Sequence, residues 1–166
     1  MIFAPDLERE CPAQFPDDLR RWTGESALAR LAVDIARTTC TDVALGDQVV
    51  AADDRLLAVL TGSYAAGIFS SEDIEWAAAA NPMVRTLCRG GELSRTALVQ
   101  FRRANRELVE VCLGRLFFAA WQTRRMVVGG GRNEVVEGEA EPLAEAMTEA
   151  RNRVQLAILF DLAMSE

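Results

Sequence analysis

The chain has 166 residues, half of them apolar and 26% charged, which suffices for one domain with a hydrophobic core and excludes wholesale disorder. Its 18 basic residues are all arginine, it has no histidine, and its formal net charge is −7. The lack of histidine excludes an imidazole general base, a Ser-His or Cys-His pair and a histidine zinc site.

The chain begins with a proline-rich segment and continues as helices. Residues 1–22 hold three of the five prolines and predict an extended arm. Apolar residues at helical spacing predict a first helix over 25–38 and a second over 54–66, for which Asp53 or Asp54 is a suitable N-cap. The segment between these two helices is predicted to be a connector.

A third, short helix is predicted from its end signals. Ser70 stands three residues before Asp73, as in a capping box, and Asn81-Pro82 predicts the end of the helix. Acidic side chains lie at this N-terminus and at that of the preceding helix. We interpret them as favourable partners of the helix dipole rather than as metal ligands.

The longest helical pattern follows a glycine turn. A further turn at 83–88 leads to Gly90-Gly91, after which Ser94 is the predicted cap of one continuous helix from Arg95 to about Arg125. At about 1.5 Å per residue this helix would be about 45 Å long. It would form the spine of the domain.

The C-terminal part contains one more helix. Residues 126–141 are interpreted as a Gly- and Glu-rich linker, with a short hairpin near 126–137 as the alternative, and Pro142 fits the first position of an amphipathic helix over 142–166. The predicted fold is therefore all-α: residues 1–125 form a compact helical domain with a long central helix and a helix-turn-helix-like segment.

Charge is distributed unevenly along the chain. The net charges of residues 1–84, 85–125 and 126–166 are −8, +6 and −5. The bulk of the chain therefore opposes binding to phosphate backbones, whereas the middle segment favours it. The alternative interpretation is that these arginines pair with acids of neighbouring helices, for example Arg103 with Glu107.

The basic segment also has an order of elements that is typical of DNA-binding domains. From Glu72 to Gln100 a helix is followed by a turn with two glycines and by a Ser-capped helix. The first turns of that helix carry Arg95, Thr96 and Gln100. A helix-turn-helix presents side chains to base edges in this way.

Two sequence blocks resemble the N-terminal domain of bacterial insertion-sequence transposases of the IS-five group. The first is Gly-Ile-Phe-Ser-Ser-x-x-Ile-Glu at Gly67–Glu75, and the second is the Phe-Arg block at Thr96–Arg103. The resemblance covers about residues 15–122. The chain departs from the family pattern at Glu72-Asp73, where a basic residue is usual, and at Ala97.

The resemblance implies a DNA-binding domain without its catalytic partner. Family members continue into a ribonuclease-H-like nuclease domain whose Asp, Asp and Glu hold two metal ions. Gly129 stands about where the first Asp would be, and the 37 residues after it are too few for that fold. We therefore expect no enzyme activity, no metal and no cofactor from this chain.

The function expected from these observations is a non-catalytic, truncated transposase-like protein that binds DNA or regulates transposition. Its predicted partners are the ends of an insertion element, a second copy of itself or a full-length transposase. The helical phases predict that Arg95 and Gln100 lie nearest the bases. The predicted DNA-contacting residues are Arg95, Thr96, Gln100, Arg102, Arg103 and Arg106.

Two alternative functions remain open. One is a helical module for protein association, in which the acidic exterior and the helix over 142–166 pack on a partner or a second copy. The other is a remnant reading frame of a degraded element.

The four cysteines form no CxxC pair, and Cys88 and Cys112 fall among apolar residues, which predicts buried, reduced thiols. Without a signal peptide or a membrane-length apolar stretch, we expect a cytoplasmic protein with no membrane contact.

Overall fold

The computed structural model describes residues 15–44, 53–128 and 140–165, and all secondary structure in these ranges is helical. This confirms the all-α prediction for the described part of the chain. The helices are α1 (Arg20–Thr23), α2 (Glu25–Ala44), α3 (Asp54–Ala65), α4 (Ser71–Ala80), α5 (Pro82–Cys88), α6 (Arg95–Ala104), α7 (Arg106–Val128) and α8 (Ala140–Ala163).

The predicted starts of α3, α4 and α6 are confirmed by side-chain caps. Asp53, Ser70 and Ser94 each accept a hydrogen bond from a backbone N–H group in the first turn of α3, α4 and α6. Asn81 does the same for α5, with Pro82 as its first residue. These caps satisfy N–H groups that have no partner inside a helix, so the local sequence fixes where each helix begins.

The prediction of a single helix from Arg95 to Arg125 is wrong, because the helix is interrupted at Asn105. This residue has φ −128° and ψ 34°, outside the helical region. Its backbone N–H donates to the carbonyl of Phe101 at 2.9 Å, and its side-chain amide donates to the same oxygen at 3.0 Å. Asparagine competes in this way with regular helix geometry. The spine of the domain is therefore α7 alone, which continues to Val128.

Three other predicted boundaries are also corrected. Helix α2 runs six residues beyond Thr38, to Ala44, and Thr38 and Thr41 donate to carbonyls one turn earlier. Residues 126–128 belong to α7, whereas the rest of the predicted linker or hairpin lies outside the described residues. Pro142 is the third residue of α8 rather than the first, a position at which a missing N–H still costs no intrahelical bond.

Helix α3 lies at the centre of the core. Every residue from Leu57 to Ala65 is buried, since α2, α5, α6, α7 and α8 surround it. Helix α8 packs antiparallel on α7, as shown by the hydrogen bond between Arg106 and Gln155 and by the contact of Gly114 with Met147. The buried side chains of α8 belong to the same core. None of the helices in the described ranges is long and apolar enough to span a membrane.

The predicted burial of two cysteines is confirmed, and the tryptophans differ in their exposure. Cys88 and Cys112 are buried free thiols, as expected. Trp22 is partly buried against the core, whereas Trp76 is 74% exposed. Trp121 stacks on Phe118. Helix α4 buries its Ile74 and Ala77 face, and Trp76 lies on its outer side.

Candidate nucleic-acid interface

Helix α6 has an exposed polar face and a buried face. Thr96, Gln100 and Arg103 are exposed and recur at spacings of four and three residues, so they form one stripe along the helix. Leu98 and Arg102 recur at a spacing of four on the opposite side and are buried. Three of the six predicted DNA-contacting residues therefore share one accessible surface.

A groove of about 320 Å³ runs beside this stripe, between α6, the start of α7 and the end of α8. We call it the arginine groove, because four arginines line it together with apolar and polar side chains of α6 and α8. These lining residues are Arg95, Val99, Arg102, Arg103, Arg106, Ile158, Asp161, Leu162 and Ser165. The structure thus brings four of the predicted residues together around one depression.

Arg102 lies at the base of the groove and is only 5% exposed, so this predicted DNA-contacting residue is not accessible to DNA. Its Nη1 lies 2.5 Å from Oδ2 of Asp161 and donates to the hydroxyl of Tyr64 at 3.2 Å. Burial opposes the charge on Arg102, but Tyr64 and Asp161 outweigh that effect and raise its pKa. The guanidinium is thus a buried, paired cation whose neighbours are protein groups.

The carboxylate of Asp161 also binds the start of α4. Its Oδ1 accepts from the backbone N–H of Ser71 at 2.7 Å, and its Oδ2 accepts from the Ser71 hydroxyl at 2.7 Å. A negative charge is favourable at a helix N-terminus. Within the block that resembles the transposases, Ser70 caps α4 and Ser71 binds Asp161, so both serines make internal contacts.

A second buried charge on α8 binds the end of α3. Arg153 is 3% exposed, and its guanidinium donates to the carbonyls of Tyr64 at 2.9 Å, Ala65 at 3.1 Å and Asp17 at 2.9 Å. A cation is favourable at a helix C-terminus. Arg153 and Asp161, which we call the α8 anchor pair, therefore hold the two ends of the α3–α4 connection and position the α8 side of the groove.

Arg95 and Arg106 stand on the rim of the groove beside acidic neighbours. The guanidinium of Arg95 lies 3.9 Å from a carboxylate oxygen of Glu72 and donates to the Ser165 hydroxyl at 3.3 Å. Arg106 pairs with Glu110 at 3.0 Å, one helical turn along α7. Acidic neighbours partly compensate both charges, so each arginine attracts an external anion less strongly than an unpaired cation would.

Arg103 differs from the other rim arginines. Among the described residues no carboxylate lies within 4 Å of its guanidinium, so the predicted alternative pairing with Glu107 is not present there. It is exposed and borders both the groove and the polar stripe of α6. Arg103 is therefore the cation of this surface that is most available to an external anion.

The sequence patterns did not predict that α8 forms one side of the groove. Asp161 lies 59 residues after Arg102, and no local pattern connects them. The one signal within the sequence was an isolated acid in the apolar run Leu156–Ala163. Buried charges in apolar helices are usually paired, so this acid required a partner from another element.

The carboxylates predicted at helix N-termini lie there in the structure. Asp54 lies in the first turn of α3, and Glu72 and Asp73 lie in the first turn of α4. Within the ranges that the structure describes, no group of three or more His, Cys, Asp or Glu side chains is placed to hold a metal ion.

Tyr64 provides a measurable prediction for the base of the groove, because it is the only tyrosine of the chain. Burial raises its pKa to about 12, despite the opposing effect of Arg102. The raised pKa favours the neutral phenol in the folded state, so its contribution to stability is complete below pH 10 and is lost between about pH 10 and pH 12. Ultraviolet titration at the tyrosinate band should show ionisation near pH 12 in the folded protein. Ionisation near pH 10 without unfolding would contradict the described burial.

Comparison with known proteins leaves the family resemblance as a prediction. No protein-family model, no curated protein and no solved structure matches the chain. The transposase relationship and the functions that it implies are therefore proposals.

Proposed function

We propose that this chain is a non-catalytic, transposase-like helical protein that binds DNA through α6, as a regulator or accessory of transposition. The observation that supports this most directly is the exposed stripe of Thr96, Gln100 and Arg103 beside the arginine groove. The proposed DNA is the end sequence of an insertion element. A second copy or a full-length transposase would be the protein partner.

The chemistry of the stripe supports contact with both parts of a duplex. Gln100 offers the paired donor and acceptor that recognise adenine in the major groove, and Thr96 offers a hydroxyl and a methyl group. Arg103, with Arg95 and Arg106 on the rim, offers cations for phosphates, which orient a protein on the duplex. Helix α6 packs on α4, α3 and α7, so its outer face is held on a rigid base.

Electrostatics restrict how the protein would approach DNA. The net charge of −7 repels a phosphate backbone, so attraction must come from the local surface around α6. The proposed binding is accordingly weak at physiological salt and strengthens steeply as salt is lowered. Strand cleavage is not part of the proposal, since in the resembling proteins it belongs to a separate nuclease domain.

The proposal predicts that replacing both Gln100 and Arg103 with alanine weakens binding to duplex DNA by tenfold or more. One base contact contributes about 1–3 kcal/mol, and loss of one phosphate contact lowers the salt slope by about one. Alanine is a strong helix former, so α6 should stay folded. The measurement is fluorescence anisotropy of labelled element-end duplexes at several salt concentrations, with circular dichroism as the folding check.

The matched control is Arg30→Ala, which removes one exposed arginine from α2, away from α6. It should change the affinity by less than about twofold, as a distant surface charge does. If wild-type protein binds no duplex at low salt, or if the double variant and the control behave alike, the DNA-binding proposal is wrong. Arg102 is unsuitable for this test because it is buried.

The second candidate function is a module for protein association, and the outer face of α8 favours it. Leu156, Leu159, Phe160 and Ala163 recur at spacings of three, one and three residues and are all exposed. The exposed fractions of the first three are 42%, 51% and 47%. An apolar helix face of this kind is typical of a protein interface. Absence of DNA binding at low salt would make this the preferred function.

A further inference from the structure

The arginine groove combines charged rims with one apolar wall. Val99 and Ile158 are partly buried and Leu162 is 61% exposed, so carbon atoms form one side of the depression. Its volume of about 320 Å³ lies at the lower end of the range of about 300–1,000 Å³ for small-ligand pockets. The groove can therefore hold a small group that has both an anionic end and a carbon-bearing end.

The arrangement of charges indicates where an anion would lie. At the base, Asp161 is bound to Arg102 and Ser71, so the charges of Asp161 and Arg102 neutralise each other and offer little attraction to an external anion. The attraction lies at the rim, where Arg103 has no carboxylate within 4 Å among the described residues. A guanidinium offers a fork of N–H donors that matches phosphate geometry, so Arg103 is the expected principal ligand.

We infer that the arginine groove binds one phosphate ester, with its phosphate at Arg103 and its ester carbons against Ile158 and Leu162. This inference rests on the proposed function, because the expected source of the phosphate is the DNA backbone. A free nucleotide would present the same chemistry. Helix α8 thereby becomes half of the phosphate-binding surface, although the sequence blocks that resemble the transposases contain none of it.

Ser165 allows a test that leaves α6 unchanged. Its hydroxyl lines the groove, accepts from Arg95 at 3.3 Å and donates to the carbonyl of Asp161 at 2.7 Å. Ser165→Asp places a carboxylate in the groove, whereas Ser165→Asn places a neutral group of the same shape there. The two introduced side chains have the same shape, but Asp ends in a charged carboxylate and Asn in a neutral amide. The two variants are therefore a matched pair that tests the effect of the charge.

The experiment measures binding of deoxyadenosine monophosphate, of inorganic phosphate and of a short duplex to each variant at low salt, by calorimetry or by backbone amide shifts in NMR titrations. Ser165→Asp should weaken binding of both the nucleotide and the duplex at least about fivefold more than Ser165→Asn, which corresponds to about 1 kcal/mol. Inorganic phosphate should bind wild-type protein more weakly than the nucleotide does, because it has no ester carbons.

A second pair keeps the test independent of Ser165. Arg103→Gln should weaken nucleotide binding about tenfold, whereas Arg30→Gln should leave it within about twofold. If Ser165→Asp behaves as Ser165→Asn, and Arg103→Gln as Arg30→Gln, with the nucleotide, the groove inference is overturned, even when the duplex still binds. If the nucleotide gives the expected pattern but the duplex does not bind, the groove inference stands with a free phosphate ester as its ligand, and the DNA-binding proposal fails.

Discussion

Replacing Arg153 with methionine should lower the free energy of unfolding by about 3 kcal/mol. Methionine keeps an apolar side-chain stem, but it removes the guanidinium that lies over the Phe117 ring and every hydrogen bond to the end of α3 and to the chain around Asp17. Two of the lost acceptors keep one other partner each, since Ala65 also accepts from the N–H of Leu19 and Tyr64 from that of Gly67. The expected loss is therefore below that of a fully orphaned buried charge.

The measurement for Arg153→Met is urea unfolding followed by circular dichroism. Arg151→Met on the same helix is the control, because Arg151 is exposed and lies two residues away. It should change the stability by no more than about 0.5 kcal/mol. Equal midpoints for the two variants would show that the buried guanidinium does not hold α8 in place.

Replacing Asp161 with alanine should have the larger effect, a loss of about 3–5 kcal/mol. The change leaves the guanidinium of Arg102 buried without its carboxylate, and it removes the acceptor of the Ser71 N–H and hydroxyl. A buried charge without a partner is far more costly than a missing pair. Urea unfolding again gives the free energy.

A double variant separates the charge effect from the rest. Adding Arg102→Met to Asp161→Ala removes the uncompensated cation, so the double variant should be more stable than Asp161→Ala alone by about 1–3 kcal/mol. The remaining loss of stability would come from the N–H and hydroxyl of Ser71, which lose their acceptor in both variants. A double variant less stable than Asp161→Ala would mean that the Arg102 charge finds another partner or solvent.

Helix starts could be predicted from the sequence because their causes are local. Asp53, Ser70 and Ser94 each act on backbone groups two or three residues away, so the pattern and its effect lie in the same short window. The break at Asn105 is local as well, but asparagine is also found inside helices, and the apolar stripe continues through it. The sequence therefore favoured one long helix where there are two.

The predicted DNA-contacting arginines lie at different depths in the structure. Arg95, Arg103 and Arg106 meet at one groove, but Arg102 is turned inward, one residue or about 100° from Arg103. Which of two adjacent arginines is buried depends on the partner that the rest of the fold provides, here Asp161 on α8. No signal within α6 contains that information.

The α8 anchor pair has a consequence for folding during synthesis. Asp161 binds Ser71 across 90 residues, and Arg153 binds Tyr64 across 89. Ribosomes add about 5–20 residues per second, so α3 and α4 emerge roughly 5–20 s before the helix that holds both their ends. Once α7 has also emerged, the nascent chain exposes the α7 surface that α8 later covers, and its native arrangement cannot be completed from the N-terminus alone. Helices α3 and α4 are therefore synthesised early, but their packing in the core is completed only after α8 has been synthesised.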